Sequence, residues 1–303
     1  MNINEYYHLQ AEKTTLESLL KQIPEVNVID RIGLETRKKE VEDLIASVSA
    51  PTREPIRASL TFRGKPTVGS HGIFAEFGAK AINAFADAVA AIGASQASSL
   101  GTRGAIPNRE EFQLLITGTA LGSFGFELEE APKDAMLFPK ESLIESAIEQ
   151  TKRIMKASLG TDDDLTEAIS EADPRAVETL RSFFKTIADH EAVCALDFKG
   201  DVFRFADVGQ VRRSEGRLSK DNIHEDDKIF NGYFLGVLPN HRNFEFKVIG
   251  TEEVILGKVG ADIEDANQIN QIVGKQAQIK VHTKQVGTGR VRYELSHYSE
   301  NSD

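Results

Sequence analysis

Residues Ile229 to Tyr298 read IFNGYFLGVLPNHRNFEFKVIGTEEVILGKVGADIEDANQINQIVGKQAQIKVHTKQVGTGRVRYELSHY, and the order of elements in this stretch decides the fold. Gly232 to Leu238 is rich in strand formers and stops at Pro239-Asn240, a pair that starts turns. Phe244-Glu245-Phe246-Lys247-Val248 alternates apolar and charged residues, the mark of a half-buried strand. A turn at Gly250-Thr251 leads to a third strand, Val254 to Val259. Asp262 is placed to cap a helix carrying Ile263, Ala266, Ile269 and Ile272 on one side and ending at Gly274. Ala277 to Val281 and Val291 to Leu295 make two more strands, joined by a segment whose Gly287 and Gly289 permit a flexible tip.

Three strands, a short helix and two strands follow one another as in an OB-type barrel, a five-stranded Greek-key barrel that commonly holds single-stranded nucleic acid or sugars. An SH3-like barrel also uses five short strands, but a helix between the third and fourth argues for the OB-type order. If the barrel holds a single strand, Tyr233 and Phe244 stack on bases, while Arg242, Lys247, Lys280, Lys284, Arg290 and Arg292 meet phosphates along one open cleft. The competing expectation is that the aromatic residues fill the barrel and the ligand is a protein segment.

Upstream, residues 1–50 read as a helical hairpin. Leu9, Leu16, Leu19, Leu20 and Ile23 recur along the first helix, and Leu34, Val41, Leu44, Ile45 and Val48 along a second one capped by Asp30. Spacings of seven suit a short coiled coil, which buries its stripe either against itself or, as a homodimer through residues 4–48, against a second copy. Pro51 and Pro55 break the pattern. Residues 56–211 carry the signals of a mixed α+β domain: a strand at Ala58 to Phe62, a long apolar helix from Phe74 to Ile92, and a hairpin at 113–128. Helices starting at Ser142, Thr161 and Asp173-Pro174 follow, then strands at Cys194 to Phe198 and Val202 to Phe205. The polar piece 212–228 reads as a linker, and residues 229–303 as the barrel, so the fold class is α+β.

Composition narrows the functional classes. With 303 residues, 40% of them hydrophobic, the chain is long enough for two domains and an appendage. A single cysteine, Cys194, rules out a disulfide framework and a multi-cysteine zinc site. No apolar run is long enough to span a bilayer and the polar start is no signal peptide, so the expected home is the cytoplasm, with no membrane partner. The formal net charge is -11, yet from Lys228 onward nine bases balance nine acids, so the preceding 227 residues carry the whole acidic excess. Such a balance argues against indiscriminate coating of duplex DNA.

Catalytic motifs are scarce. Gly118 to Gly125 lacks the Lys-Ser/Thr ending of a phosphate loop and leads into no helix, so it reads as a hairpin turn. The seven histidines show no metal-ligand spacing on any one element, and neither a metal nor another cofactor is expected. Asp189, Asp197 and Lys199 are the candidates for a metal-dependent nuclease or hydrolase, since Asp-x-Lys on a strand with an upstream acid can position a cation and a water. Asp162-Asp163-Asp164 reads as a helix start that complements the dipole.

Leu60-Thr61-Phe62-Arg63-Gly64, then Gly72-Ile73 leading into a helix, and then Ile116-Thr117-Gly118 with Gly122 to Leu128 resemble bacterial α+β proteins associated with mobile-element and anti-phage gene clusters. The resemblance covers about residues 56 to 150 and transfers no catalytic residue. It implies a defence-related or accessory role with protein partners from the same system. Together these readings describe a non-enzymatic binding or adaptor subunit, with a metal-dependent hydrolase and a purely protein-protein scaffold as the alternatives.

Overall fold

The computed structural model describes residues 3–24, 27–47, 55–97, 99–101, 103–120, 124–131, 142–251 and 253–300. Within these the chain is mixed α+β. Helices α1 (Ile3–Gln22) and α2 (Val28–Ser47) form an antiparallel hairpin, its direction fixed by ion pairs between Lys13 and Glu42 (3.1 Å) and between Lys38 and Glu17 (3.3 Å). Leu16 and Val41 are buried at the seam. The apolar stripe offered either to itself or to a second copy is therefore used, at these residues, inside the hairpin, while Leu19 and Leu44 stay exposed. Val48, Pro51 and the break expected there lie outside the described residues, as do residues 121–123 of the glycine-rich turn.

The next unit is built on β1 (Arg57–Gly64), followed by the two-residue strands β2 (Thr67–Val68) and β3 (Gly72–Ile73), helix α3 (Ala75–Ser95), and the hairpin β4 (Leu114–Ala120) and β5 (Phe124–Glu130). Helices α4 (Leu143–Ala157), α5 (Asp162–Ile169) and α6 (Pro174–Asp189) lead to β6 (Ala192–Phe198), β7 (Asp201–Arg204) and α7 (Val208–Arg217). The main sheet runs β4-β5-β1-β6-β7, antiparallel throughout. Alternation along β1 sends Ala58, Leu60 and Phe62 into a core shared with Phe77 and Phe85 of α3 and with Phe183 and Phe184 of α6. The helix starts are specified locally. Thr161 and Asp164 close a reciprocal capping box, and Asp173 accepts from the Arg175 amide ahead of Pro174.

The C-terminal strands are β8 (Ile223–Leu238), β9 (Asn243–Val248), β10 (Val254–Val259), β11 (Gln276–Val286) and β12 (Arg292–Glu300). They close into a ring in the order β10-β12-β11-β8-β9. Every pairing is antiparallel except the closure, where Lys258 and Val259 of β10 meet Glu294 and Leu295 of β12 in parallel. Phe234, Phe244, Phe246, Ile255, Ile279, Val281 and Leu295 fill the interior. The element between the third and fourth of these strands is a 3-10 helix, Ala266–Ile272, capped by Asp265 and not by Asp262. Its Asn270 side chain holds both main-chain groups of Val237, and Ala266, Ile269 and Ile272 plug the ring.

Residues 212–228, expected as a linker, instead complete α7 and begin β8. Val211 and Ser214 of α7 are buried, and β8 starts at Ile223 because its first half pairs with β11 as far as Val286. That half is polar because the ribbon projects out of the ring, so residues 224 to 229 are exposed. The tip of the ribbon enters the α+β unit, whose core includes Val286 and is packed by Ile223.

Candidate binding surface of the C-terminal ring

The tip of the β8–β11 ribbon determines where the ring's cations go. Val286 donates its amide to Thr166 Oγ1 of α5 (3.1 Å), and the Gly287 amide reaches the Asn222 carbonyl (2.9 Å). Asp162, at the first turn of α5, accepts from the Thr288 amide (3.2 Å) and from Arg217 Nη2 (2.9 Å). The Thr288 amide, helped by Arg217, holds the Asp162 carboxyl below the usual carboxylate range against the opposing effect of burial. The β11–β12 connection is thus seated on the α+β unit and is not an open arm of a cleft.

Two assignments from sequence are corrected outright. Lys284 is 6% exposed, its ammonium donating to the carbonyls of Ile169 (3.3 Å) and Ala172 (2.8 Å) and pairing with Glu225 (3.0 Å), so no phosphate reaches it. Phe244 is a core residue, packed edge-on against Phe234, and is unable to stack on a base. The alternating pattern placed Phe244 on a strand correctly, whereas Lys284, beyond the strand expected to end at Val281, lies on β11, and nothing in its sequence context signals the carbonyls that cover it.

The other candidates are dispersed. Arg242, in the left-handed region at φ 50°, turns its guanidinium back onto the carbonyls of Val259, Gly260 and Ile263, tying the β8–β9 turn to the end of β10. Lys280 pairs with Asp227 (2.8 Å), which also contacts His282 (3.0 Å). Arg290 and Arg292 face α5, the first against Asp163 (3.7 Å) and the second against Glu167 (2.8 Å). Tyr233 and Lys247 are register partners on the outer face of the ring. The eight residues do not converge on one cleft, because carboxylates of the same chain have drawn the cations to several places.

The hydrolase candidates are not assembled either. Asp189 ends α6 in an ion pair with Lys185 (3.3 Å). Asp197 stands in register with Ser59 on the face of the sheet opposite the helices, while Lys199 turns toward α4 and binds Glu145 and Glu149 (2.9 Å to the latter). Among the described residues no group of three or more His, Cys, Asp or Glu side chains is placed to hold a metal ion.

What sequence reasoning missed is apolar. Val254 and Leu256 of β10 point outward on either side of the buried Ile255, and Leu256 is 63% exposed. Register carries this face across Lys247 and Glu245 of β9 to Tyr233 and to Leu235, which is bulged out of β8 between Phe234 and Gly236. Three successive apolar residues, Val254-Ile255-Leu256, were the available signal. A strand in a closed ring has one inward face and cannot bury all three.

No helix among the described residues is long and apolar enough to cross a membrane. No family model matches the chain, and comparison with curated proteins and with solved structures finds no match.

Proposed function

We propose that the C-terminal ring is an OB-type barrel and that the protein is a non-enzymatic binding subunit whose barrel receives an apolar segment of a protein partner. The OB-type reading, preferred over an SH3-like barrel, is supported by the strand order, by the parallel β10–β12 closure and by the short helix between β10 and β11. The observation that carries the choice of ligand is an outer face on which Tyr233 and Leu235 of β8 and Val254 and Leu256 of β10 are exposed on either side of Lys247 and Glu245 of β9. Large apolar side chains exposed together on one face mark interaction sites. Glu245 and Lys247 between the apolar side chains bring one charge of each sign, a pattern suited to a peptide and poor for a polyanion. The resemblance of residues 56 to 150 to proteins of anti-phage and mobile-element clusters makes a component of such a system the natural source of the segment.

The test is selection of a random peptide library on the full chain, with Leu235→Glu/Leu256→Glu as the comparison and Gln278→Glu as a control on another strand. Peptides rich in apolar residues should be enriched on the wild type and the control and lost on the double variant. Equal recovery on all three would end the proposal. Salt-sensitive binding of a labelled single strand, lost on Arg290→Glu/Arg292→Glu, would reinstate nucleic acid in its place.

A further inference from the structure

A second surface, at the seam between the α+β unit and the ring, has a different chemistry. A cleft of about 490 Å³ opens between α4, α5 and β12, walled by Arg153, Lys156, Asp163, Glu167, Ala168 and Arg292. That volume is in the range of small-molecule sites, roughly 300–1,000 Å³. Arg292 enters it incompletely satisfied: Nη2 lies 2.8 Å from Glu167 Oε2, while Nε is buried with no hydrogen-bond partner. It is the one buried side-chain nitrogen or oxygen in that condition among the described residues. A buried donor without an acceptor is costly, and it calls for a water, an ion or a ligand as explanation.

The Nε–H and Nη2–H groups of a guanidinium lie side by side and match two oxygens of one oxyanion. Glu167, tethered to α5, uses one of them and sits 3.9 Å from Arg153 on its other side. Its carboxylate occupies the point between two arginines where an external anion would lie. The remaining charges of the cleft are already engaged. Asp163 accepts from the Arg290 amide (2.6 Å), Asp164 completes the capping box with Thr161, and Lys156 binds Asp201 (2.6 Å). Arg153, whose ion pair at 3.9 Å is loose, is free to turn to a ligand.

We infer that this cleft binds the phosphate group of a phosphorylated small molecule, held by Arg153 and by both N–H groups of Arg292 in place of the Glu167 carboxylate. A phosphate monoester brings more negative charge than the carboxylate it displaces, and its tetrahedral oxygens reach both arginines at once. The small side chains of Ala157 and Ala168, with Gly160, leave room for the organic part. Since Arg153 belongs to α4 and Arg292 to β12, an occupied cleft would tie the ring more firmly to the α+β unit.

Thermal shift and titration calorimetry on the full chain test this, using inorganic phosphate, a sugar phosphate and a nucleoside monophosphate against sodium chloride of equal ionic strength. At least one ester should raise the melting temperature and bind more tightly than inorganic phosphate. Glu167→Gln should bind more tightly still, because the competing carboxylate is gone, whereas Arg292→Lys, which keeps charge and loses the fork, and Arg153→Gln should each weaken binding about tenfold. Arg153 is exposed, so its variant keeps the test decisive should Arg292→Lys fold poorly. Shifts no larger than the chloride control, esters no tighter than inorganic phosphate, or binding unchanged in Arg153→Gln would each overturn the assignment.

Discussion

The ammonium of Lys284 donates a 2.8 Å hydrogen bond to the main-chain carbonyl of Ala172, linking β11 of the ring to the turn between α5 and α6 across 112 residues of sequence. With the Ile169 carbonyl and Glu225 as its other partners, this lysine is an internal fastener between the two units.

Replacing Lys284 with Ala should therefore act on stability and leave polyanion binding unaffected. Two carbonyls would lose their donor and Glu225 its counter-charge. Removing one partner of a buried pair costs about 3–5 kcal/mol, and the partial exposure of Glu225 places the expected loss near the low end. Urea unfolding measures it. A loss under about 1 kcal/mol would mean that Lys284 fastens nothing.

The sequence was legible wherever one face of an element is wet and the other dry. Phe244-Glu245-Phe246 announced β9, Thr161 with Asp164 announced α5, and the strand–strand–strand–helix–strand–strand order matched the ring's elements. It misled where an element is wet on both faces. His224 to Lys228 read as linker because these residues of β8 are exposed whichever way they point, although their backbone pairs residue for residue with β11, whose Thr283 and Lys284 are buried. It was silent about side-chain destination. Lys284 and Lys280 lie two periods of strand alternation apart on β11, yet one is buried under α5 and the other pairs at the surface with Asp227. Periodicity assigns a face, and only the tertiary neighbour decides what that face meets.

The seam should weaken in acid. Because the folded structure holds the Asp162 carboxyl below its ordinary value, the contribution is complete above the unfolded pKa of about 3.9 and disappears as pH falls through the lowered folded value. Asp162→Asn should lower stability at neutral pH, and the gap from wild type should narrow as pH drops below about 4. Chemical denaturation at a series of pH values reads this out. A gap that stays constant into acid would show that the Asp162 charge is not what the Thr288 amide and Arg217 recognise.

Ring closure predicts a contrast between two glycines. A Cβ at Gly257 would lie 2.5 Å from the Tyr293 carbonyl oxygen and 2.6 Å from the Phe244 ring, whereas at Gly236 nothing lies within 4 Å. Gly257→Ala must push β10 away from β12, where only two residue pairs close the ring, at a cost of about 1–3 kcal/mol. Gly236→Ala should stay within about 0.5 kcal/mol of wild type. Unfolding midpoints of the two variants decide the matter, and equal values would indicate that β10 and β12 are not in contact.

Cys194 provides a probe of the α+β unit from inside. It lies on β6, opposite Phe62 of β1, is 1% exposed, and has its thiol pKa pushed well up by burial. The nucleophile in disulfide exchange is the thiolate, so burial blocks the reaction twice, by removing access and by suppressing ionisation. An aromatic disulfide reagent should leave the native chain unmodified and label one thiol in denaturant. Because Cys194 shares the core-facing side of β6 with Leu196 and Phe198, its side chain becomes accessible only when the core between sheet and helices opens. The labelling rate in dilute denaturant should accordingly rise in step with the unfolded population measured by circular dichroism. Rapid labelling under native conditions would mean that the helices do not cover this face of β6 and would contradict the packing of Cys194 in the core.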